Sequence, residues 1–178
     1  DFGEFRRDFR QDVLSQGDSD GQFHEAVFCE LVTERLADAG EIDSFDYCYY
    51  RSHGLQVDGY SFSDEQTRLN LFVSDYRGDE NPVSLTKTEA GQVFRRAERF
   101  LTKSLDKQFF QEMEETSQGY GLAQIINSRS RKIRNVKLFL LTDAILSDRV
   151  VEIPSKKIGQ FSCSYNIWDI TRLFRLES

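Results

Sequence analysis

The stretch that decides the fold is residues 136–142, VKLFLLT, an apolar run with a single charged side chain, Lys137. An apolar run of this length is typical of a β-strand that is covered on both faces. Such a strand lies in the interior of a sheet that has helices packed on either side. The run therefore predicts a layered domain built from a sheet and helices.

The residues that precede this run predict a helix and three more strands. Residues 22–39 place apolar side chains at every third or fourth position and end before Gly40, which predicts a helix. Three extended runs follow at residues 45–50, 55–62 and 69–75. The turns between them are short enough for antiparallel hairpins, so the pattern predicts three consecutive strands.

A long helix is predicted after these strands. Thr86 and Glu89 have the spacing of a capping box, and apolar positions then recur at helical spacing. Two shorter helices are predicted at residues 107–113 and 122–128, with a break between them at residues 119–121, Gly-Tyr-Gly.

Both ends of the chain add smaller elements. Two strands are predicted at residues 149–153 and 160–165, and a short helix at residues 167–174. At the other end, residues 1–10 predict an amphipathic helix and residues 16–21 a turn-rich hinge. The order of elements implies one mixed central sheet flanked by helices, an α/β or mixed α+β fold.

Composition and charge narrow the possible functions. The 178 residues fit one domain. Lys and Arg total 23 against 30 Asp and Glu, a net charge of -7, so any nucleic-acid surface must be local. The three cysteines and two histidines have no zinc-site spacing and no hydrolase motif. Since no apolar run could span a bilayer and no signal peptide is visible, we expect a cytoplasmic protein without a membrane partner.

Acidic residues are the main candidates for chemistry. Asp58 lies in the second predicted strand and Asp75 ends the third, so a hairpin would bring their carboxylates together. Two carboxylates and a backbone carbonyl, here that of Tyr76, suit Mg²⁺ or Mn²⁺. A water on such a metal is the nucleophile that cuts a phosphodiester. Glu25 is a third candidate, because it falls on the apolar stripe of its helix and should face the sheet.

Each of these acids also has a structural explanation. Asp58 and Gly59 form a common turn dipeptide, and Asp75 precedes a polar loop where solvent-exposed acids are ordinary. Glu25 lies near a helix N-terminus, where a negative charge favours the helix dipole. The residues alone leave the structural and the catalytic interpretations open.

A basic segment just before the apolar run is a second candidate site. It contains five cations within nine residues: Arg129, Arg131, Lys132, Arg134 and Lys137. Such a segment could bind the phosphates of a nucleic acid. A solvated helix end explains it equally well, since cations are favoured at helix C-termini.

The acidic residues resemble the motif of the PD-(D/E)XK, or restriction-endonuclease-like, nuclease core. That core runs helix, three strands, helix, strand, and residues 22–142 of this chain have the same predicted order. Asp58 and Asp75 match its two acids, and Glu25 matches the first-helix acid of some members. The resemblance implies a metal-dependent nuclease. Arg77 stands where the motif has Lys, and Arg stays protonated and cannot act as a base, although it can stabilise charge developing on a phosphate.

A longer set of segments is similar to the N-terminal region of AIPR (abortive infection phage resistance) proteins of bacteria. These segments are residues 23–25, 57–60, 69–76, 137–143 and 167–170. The resemblance implies a nuclease-like domain that hydrolyses phosphodiesters in a phage-defence protein. The alternative is an inactive scaffold, sensor or dimerisation domain of the same fold.

The same resemblance sets the expected organisation and partners. We expect one domain over residues 1–178, with an N-terminal arm at 1–20, the core at 22–142, and C-terminal strands and a helix at 143–178. The chain starts without Met, so we expect it to be a piece of a longer protein. Expected partners are nucleic acid, the C-terminal part of that protein, and a second copy in a homodimer.

Overall fold

The computed structural model describes residues 1–17, 21–147 and 152–178, and of residues 21–23 it describes only the helical backbone. The helices are α1 (Phe2–Gln16), α2 (Gly21–Asp38), α3 (Lys87–Lys103), α4 (Lys107–Gln111), α5 (Gln118–Ser128) and α6 (Ile170–Leu176). The strands are β1 (Asp46–Ser52), β2 (Leu55–Phe62), β3 (Arg68–Asp75), β4 (Ser84–Leu85), β5 (Asn135–Thr142), β6 (Ile145–Leu146), β7 (Lys156–Ile158) and β8 (Phe161–Trp168).

Six of these strands form a mixed central sheet in the order β1-β2-β3-β5-β8-β7. The strands β1, β2 and β3 are antiparallel neighbours, β3, β5 and β8 are parallel, and β7 is antiparallel to β8. Strands β4 and β6 pair separately. The predicted mixed α/β class is therefore confirmed, and so is the prediction that residues 136–142 form an interior strand.

The surroundings of β5 explain why its sequence is apolar on both faces. Val136, Leu138 and Leu140 belong to the core under α3, α4 and α5, whereas Phe139 and Leu141 belong to the core formed with α1, α2 and α6. None of these five side chains is more than 2% exposed. Helices thus cover both faces of the sheet.

The long helix α3 begins as predicted. The Thr86 hydroxyl accepts a hydrogen bond from the Glu89 backbone N–H (3.1 Å), and the Glu89 carboxylate accepts one from the Thr86 N–H (3.0 Å). These two bonds satisfy backbone donors that the first helical turn leaves free. One side of α3 buries Phe94 and Phe100 against the sheet.

The break predicted at residues 119–121 is wrong, because α5 runs through it from Gln118 to Ser128. A Cβ at Gly119 would clash with the ring of Tyr50 in β1. The glycine therefore permits close packing of helix against strand, and the same residue type that signals a turn in the sequence has a steric role here.

The C-terminal strands also differ from the prediction. In the segment predicted as a strand at residues 149–153, Glu152 and Ile153 are not in a strand, and residues 149–151 lie outside the described residues. A short strand, β7, begins at Lys156 instead. The next strand, β8, is present but continues to Trp168, beyond the predicted end at residue 165.

The N-terminal helix is longer than predicted, since α1 extends to Gln16 rather than to residue 10. Of the predicted hinge, residues 18–20 lie outside the described residues. The predicted helix after it is present as α2, and the predicted C-terminal helix is present as α6.

Candidate acidic site

Asp58 lies where the pairing of β2 with β3 stops. The backbone register runs from Phe62 opposite Leu69 to Gly59 opposite Phe72. Beyond that point the Asp58 carboxylate, which is 1% exposed, accepts a hydrogen bond on Oδ2 from the Ser74 N–H at 2.7 Å. A carboxylate therefore continues the contact between the two strands where backbone pairing ends.

Gln56 completes this contact. Its side-chain amide donates to the Ser74 carbonyl at 2.7 Å and to Oδ2 of Asp58 at 3.0 Å. Gln56 in turn accepts a hydrogen bond from Arg96 of α3 at 3.2 Å. Both backbone groups of Ser74 are thus bound by side chains of β2.

Arg51 of β1 joins two of the predicted acids. Its Nη2 lies 2.6 Å from Oδ1 of Asp58 and 3.1 Å from Oε2 of Glu25. Its Nη1 donates to the carbonyls of Tyr50 and Val57. The Arg51 guanidinium therefore connects α2, β1 and β2, and Glu25 reaches the sheet through it.

The charges in this cluster perturb one another. Burial raises the pKa of Glu25, and the negative charges of Asp58 and Asp75 raise it further, while Arg51 opposes the shift. Burial alone would lower the pKa of Arg51, but Asp58 and Glu25 hold it above its ordinary value. The guanidinium is therefore firmly cationic and serves as the counter-ion of the two carboxylates.

Asp75 and Arg77 form a second ion pair. Nη2 of Arg77 lies 3.1 Å from Oδ2 of Asp75 and 3.1 Å from Oε2 of Glu89. The hydroxyl of Thr142 donates to the Asp75 carbonyl at 2.9 Å. Burial would lower the pKa of Arg77, but its bonds to Asp75 and the charge of Glu89 raise it.

Asp143 positions the backbone that follows Asp75. Its two carboxylate oxygens accept the backbone N–H groups of Arg77 and Gly78, each at 2.8 Å. Burial raises the pKa of Asp143, although these N–H bonds act in the opposite direction. On the other side, Arg6 of α1 donates to the carbonyls of Asp79 and Glu80.

In this arrangement Arg51 occupies the position beside Asp58 that a divalent cation would need. Both oxygens of Asp58 already accept hydrogen bonds, and a cation at Oδ1 would have to displace Arg51. In the part of the chain that the structure describes, no three His, Cys, Asp or Glu side chains are grouped as metal ligands. The Mg²⁺ site formed by Asp58, Asp75 and the Tyr76 carbonyl stays a prediction.

The turn interpretation of Asp58 is wrong. Both Asp58 and Gly59 lie inside β2. A side chain on Gly59 would clash with the ring of Phe45, which packs there against Phe72. The glycine is required by close packing on the sheet rather than by a turn.

The predicted nucleic-acid residues Arg129, Arg131, Lys132 and Arg134 lie at the other end of the sheet. They precede Asn135, which pairs with Arg68, whereas Asp75 pairs with Thr142. Seven steps of ~3.3 Å separate the two ends by about 23 Å. Three of the four side chains are exposed, while the fourth, Arg129, packs on the ring of Phe62. Their binding of nucleic acid stays a prediction.

Sequence reasoning missed four residues of the site: Arg51, Gln56, Arg96 and Asp143. Gln56 had a usable signal, since residues two apart in a strand point to the same side, and it stands two before Asp58. Arg51 had no such signal in the sequence, because it lies near the end of a strand rich in aromatic residues and its acidic partners come from other elements.

Together, the fold and the site define a class of protein: a mixed α/β domain in which two acidic side chains share one arginine as counter-ion. Residues 28–175 match the family model described as Abortive infection phage resistance protein N-terminal domain. The match covers most of the chain, which therefore belongs to this family of phage-resistance proteins. A search of curated proteins and a search of solved structures found no match. Within the described residues, no helix has both the length and the apolar character needed to cross a membrane.

Proposed function

We propose that this domain is a non-catalytic module of a phage-resistance protein, in which the acidic cluster is a structural element. The observation that carries the proposal is the position of Arg51, 2.6 Å from Asp58 and 3.1 Å from Glu25. Its guanidinium already lies where a bound cation would contact these carboxylates and supplies one positive charge there.

Arg77 supports the same conclusion. It occupies the position of the lysine in the nuclease motif, but it cannot accept a proton from an attacking water, because guanidinium stays protonated. It is also bound on both sides, by Asp75 and by Glu89. These ion pairs fix it as a link between β3 and α3.

In this role the domain acts as a scaffold, sensor or dimerisation unit. Its partner is the C-terminal part of the phage-resistance protein or a second copy of the domain, and it acts in the cytoplasm. The loop after β3 is hydrogen-bonded to Arg6 of α1 and to Asp143. A loop held in this way suits a module whose binding surface is ordered before its partner binds.

The second candidate function is a metal-dependent nuclease. One observation favours it: Asp58 and Asp75 lie on adjacent strands, at the end where β2 and β3 stop pairing, with Glu25 coupled to both. This function requires that Arg51 leave Asp58 before Mg²⁺ or Mn²⁺ binds. Its substrate would be a nucleic acid, and the basic cluster of Arg129, Arg131, Lys132 and Arg134 is then the second contact, about 23 Å away.

A titration with Mn²⁺ separates the two functions. We expect no saturable rise in the melting midpoint of the 178-residue chain, because Arg51 holds Asp58. For a bound cation at 100 times its Kd, the rise would be roughly 5 to 10 °C. A saturable rise that Asp58→Asn removes and Arg77→Ala keeps would contradict the proposal.

A cleavage assay gives an independent answer. The chain is incubated with end-labelled single-stranded RNA and double-stranded DNA in Mg²⁺ or Mn²⁺, beside Asp75→Asn as matched control. We expect wild type and variant to leave both substrates intact. Cleavage by the wild type that the variant lacks would establish the nuclease function.

A further inference from the structure

A groove that combines charged side chains with apolar ones, Phe94 and Ile153 among them, lies along the side of α3 that faces away from the acidic site. It encloses about 360 Å³ and is lined by Lys87, Gly91, Arg95 and Glu98 of α3, with Lys156 of β7 and Tyr165 of β8. This volume is in the range of small-molecule sites. Glu89 and Arg96, which contact the acidic site, lie on the opposite side of α3, at ~100° per residue.

Glu98 is the buried polar group of the groove. The residue is 8% exposed, and one carboxylate oxygen, Oε1, accepts both the Tyr165 hydroxyl (2.5 Å) and the Lys156 ammonium (3.1 Å). Burial and the Glu98 carboxylate raise the pKa of Tyr165, so its hydroxyl stays a donor. The second oxygen, Oε2, has no hydrogen-bond donor among the described residues. It is left to accept a bond from a ligand.

The rim of the groove is cationic. Lys87 and Arg95 are exposed, and within the described residues neither has an acidic group within 4 Å. With Lys156 they give three positive charges against the one carboxylate of Glu98, a net charge of +2 in a chain of net charge -7. A phosphomonoester, at about -1.5 to -2, matches this charge.

Gly91 is unexplained by packing. Glycine in the interior of a helix costs roughly 0.5 to 1 kcal/mol relative to alanine. A Cβ at this position would meet only Nη1 of Arg95, at 3.7 Å, which is an ordinary contact. The protein core therefore does not require glycine here, and the missing side chain keeps the middle of the groove open.

We propose that this groove binds a nucleoside monophosphate. The phosphate contacts Lys87 and Arg95, the nucleoside lies over Gly91, and an N–H or O–H group of the nucleoside donates to Oε2 of Glu98. Charged hydrogen bonds to Arg and Lys select the phosphate, and the second carboxylate oxygen of Glu98 selects a ligand that carries a donor.

Isothermal titration calorimetry of the 178-residue chain tests this proposal. The probes are AMP, GMP, CMP and UMP, with adenosine and inorganic phosphate as separate arms. We expect one site for at least one of the four nucleotides. Adenosine and phosphate should each bind at least about tenfold more weakly than that nucleotide, since each makes only part of the contacts.

Variants locate the site. Arg95→Gln and Glu98→Gln should each weaken binding at least about tenfold, because each removes one charged hydrogen bond. Gly91→Leu should abolish binding by filling the groove, while Gly91→Ala keeps the fold and serves as its control. Arg99→Gln is the matched charge control, because the Arg99 guanidinium lies beside Gly54, outside the groove.

Three results would overturn the proposal. The first is no binding of any of the four nucleotides at millimolar concentration to protein with a cooperative melting transition. The second is phosphate binding as tight as nucleotide binding, which would show an anion patch without nucleoside recognition. The third is binding that survives both Arg95→Gln and Gly91→Leu, which would place the nucleotide elsewhere.

Discussion

Asp58 and Glu98 are both buried carboxylates, yet their surroundings leave them in different states. Asp58 has donors on both oxygens: Arg51 on one, and Gln56 with the Ser74 N–H on the other. Among the residues that the structure describes, the two donors to Glu98 are both on one oxygen. Both oxygens of Asp58 are therefore hydrogen-bonded within the fold, whereas one oxygen of Glu98 has no donor among the described residues. The resemblance to the nuclease motif points to Asp58 as the functional acid. The positions of the hydrogen-bond partners, however, make Glu98 the carboxylate that is more available to a ligand.

The cations near the two carboxylates differ in the same way. Arg51 is largely enclosed and makes four hydrogen bonds with fixed partners, two of them backbone carbonyls and two of them carboxylates. The side chain of Lys156 is 55% exposed and can move without disturbing a strand. A cation that is held by the backbone is a structural part, while an exposed one can exchange its partner for a ligand.

The largest effect that the comparison predicts is for Arg51→Met. Removal of the guanidinium leaves Asp58 as a buried charge without its counter-ion, so we expect a loss of about 3 kcal/mol in the free energy of unfolding. Urea denaturation measures it. Adding Asp58→Asn to Arg51→Met should recover part of this loss, because the double variant has no uncompensated charge.

The control for this prediction is Arg96→Met. Arg96 is exposed, and its hydrogen bond in the described part of the chain is to Gln56, so its replacement should cost less than about 1 kcal/mol. Equal losses of unfolding free energy in the two arginine variants would mean that Arg51 is no more important to the fold than an exposed arginine. The proposed difference between Asp58 and Glu98 would then be wrong.

The next effect compares the carboxylates directly. Asp58→Asn turns an acceptor into an amide that cannot satisfy all three donors, and we expect a loss of about 1 to 3 kcal/mol. Glu98→Gln should cost less than about 1 kcal/mol, because the amide oxygen still accepts from Tyr165 and the exposed Lys156 can turn to solvent. Urea denaturation of the two single variants checks the order. A greater loss at Glu98 would reverse the comparison.

Sequence patterns predicted the parts of the fold that depend on local rules. The run at residues 136–142 predicted an interior strand because a strand covered on both faces must be apolar on both. Thr86 and Glu89 predicted the start of α3 because a capping box lies within four residues. The local pattern was wrong at Gly119, because this glycine permits close packing with Tyr50 of a strand that is far away in sequence.

The candidate site was predictable only in part for the same reason. The positions of Asp58 and Asp75 on neighbouring strands follow from the hairpin pattern. Their partners do not: Arg51 reaches Glu25 across 26 positions of sequence, and Asp143 reaches the Arg77 N–H across 66. Charge neutralisation of this kind depends on the tertiary arrangement, so a motif alone could not distinguish an available acid from an occupied one.

A smaller effect is expected for Arg77→Ala. The side chains of Arg77 and Asp75 are 22% and 21% exposed, and that of Glu89 is 42% exposed, so solvent screens both ion pairs. We expect a loss of no more than about 1 kcal/mol, measured by urea denaturation. A loss as large as that of Arg51→Met would show that the two ion-paired regions of the acidic site are equally structural.

The smallest effect concerns how the contribution of Glu25 to the free energy of unfolding changes with pH. It shows whether burial or the ion pair with Arg51 dominates at this carboxylate. Its pKa is raised in the folded state, chiefly by burial. The folded chain therefore keeps this proton at pH values where the unfolded chain, with a pKa of about 4.3, has released it. The group stabilises the fold below the unfolded pKa, and this contribution is lost as the pH rises through the folded pKa.

In Glu25→Gln the contribution is absent. The free energy of unfolding of the wild type minus that of the variant should therefore decrease between pH 4 and pH 7, by less than about 1 kcal/mol because Arg51 and solvent oppose the shift. Urea denaturation at both pH values measures this difference, with Glu30→Gln, an exposed position on the same helix, as control. A difference that increases with pH would mean that the ion pair with Arg51 outweighs burial at Glu25.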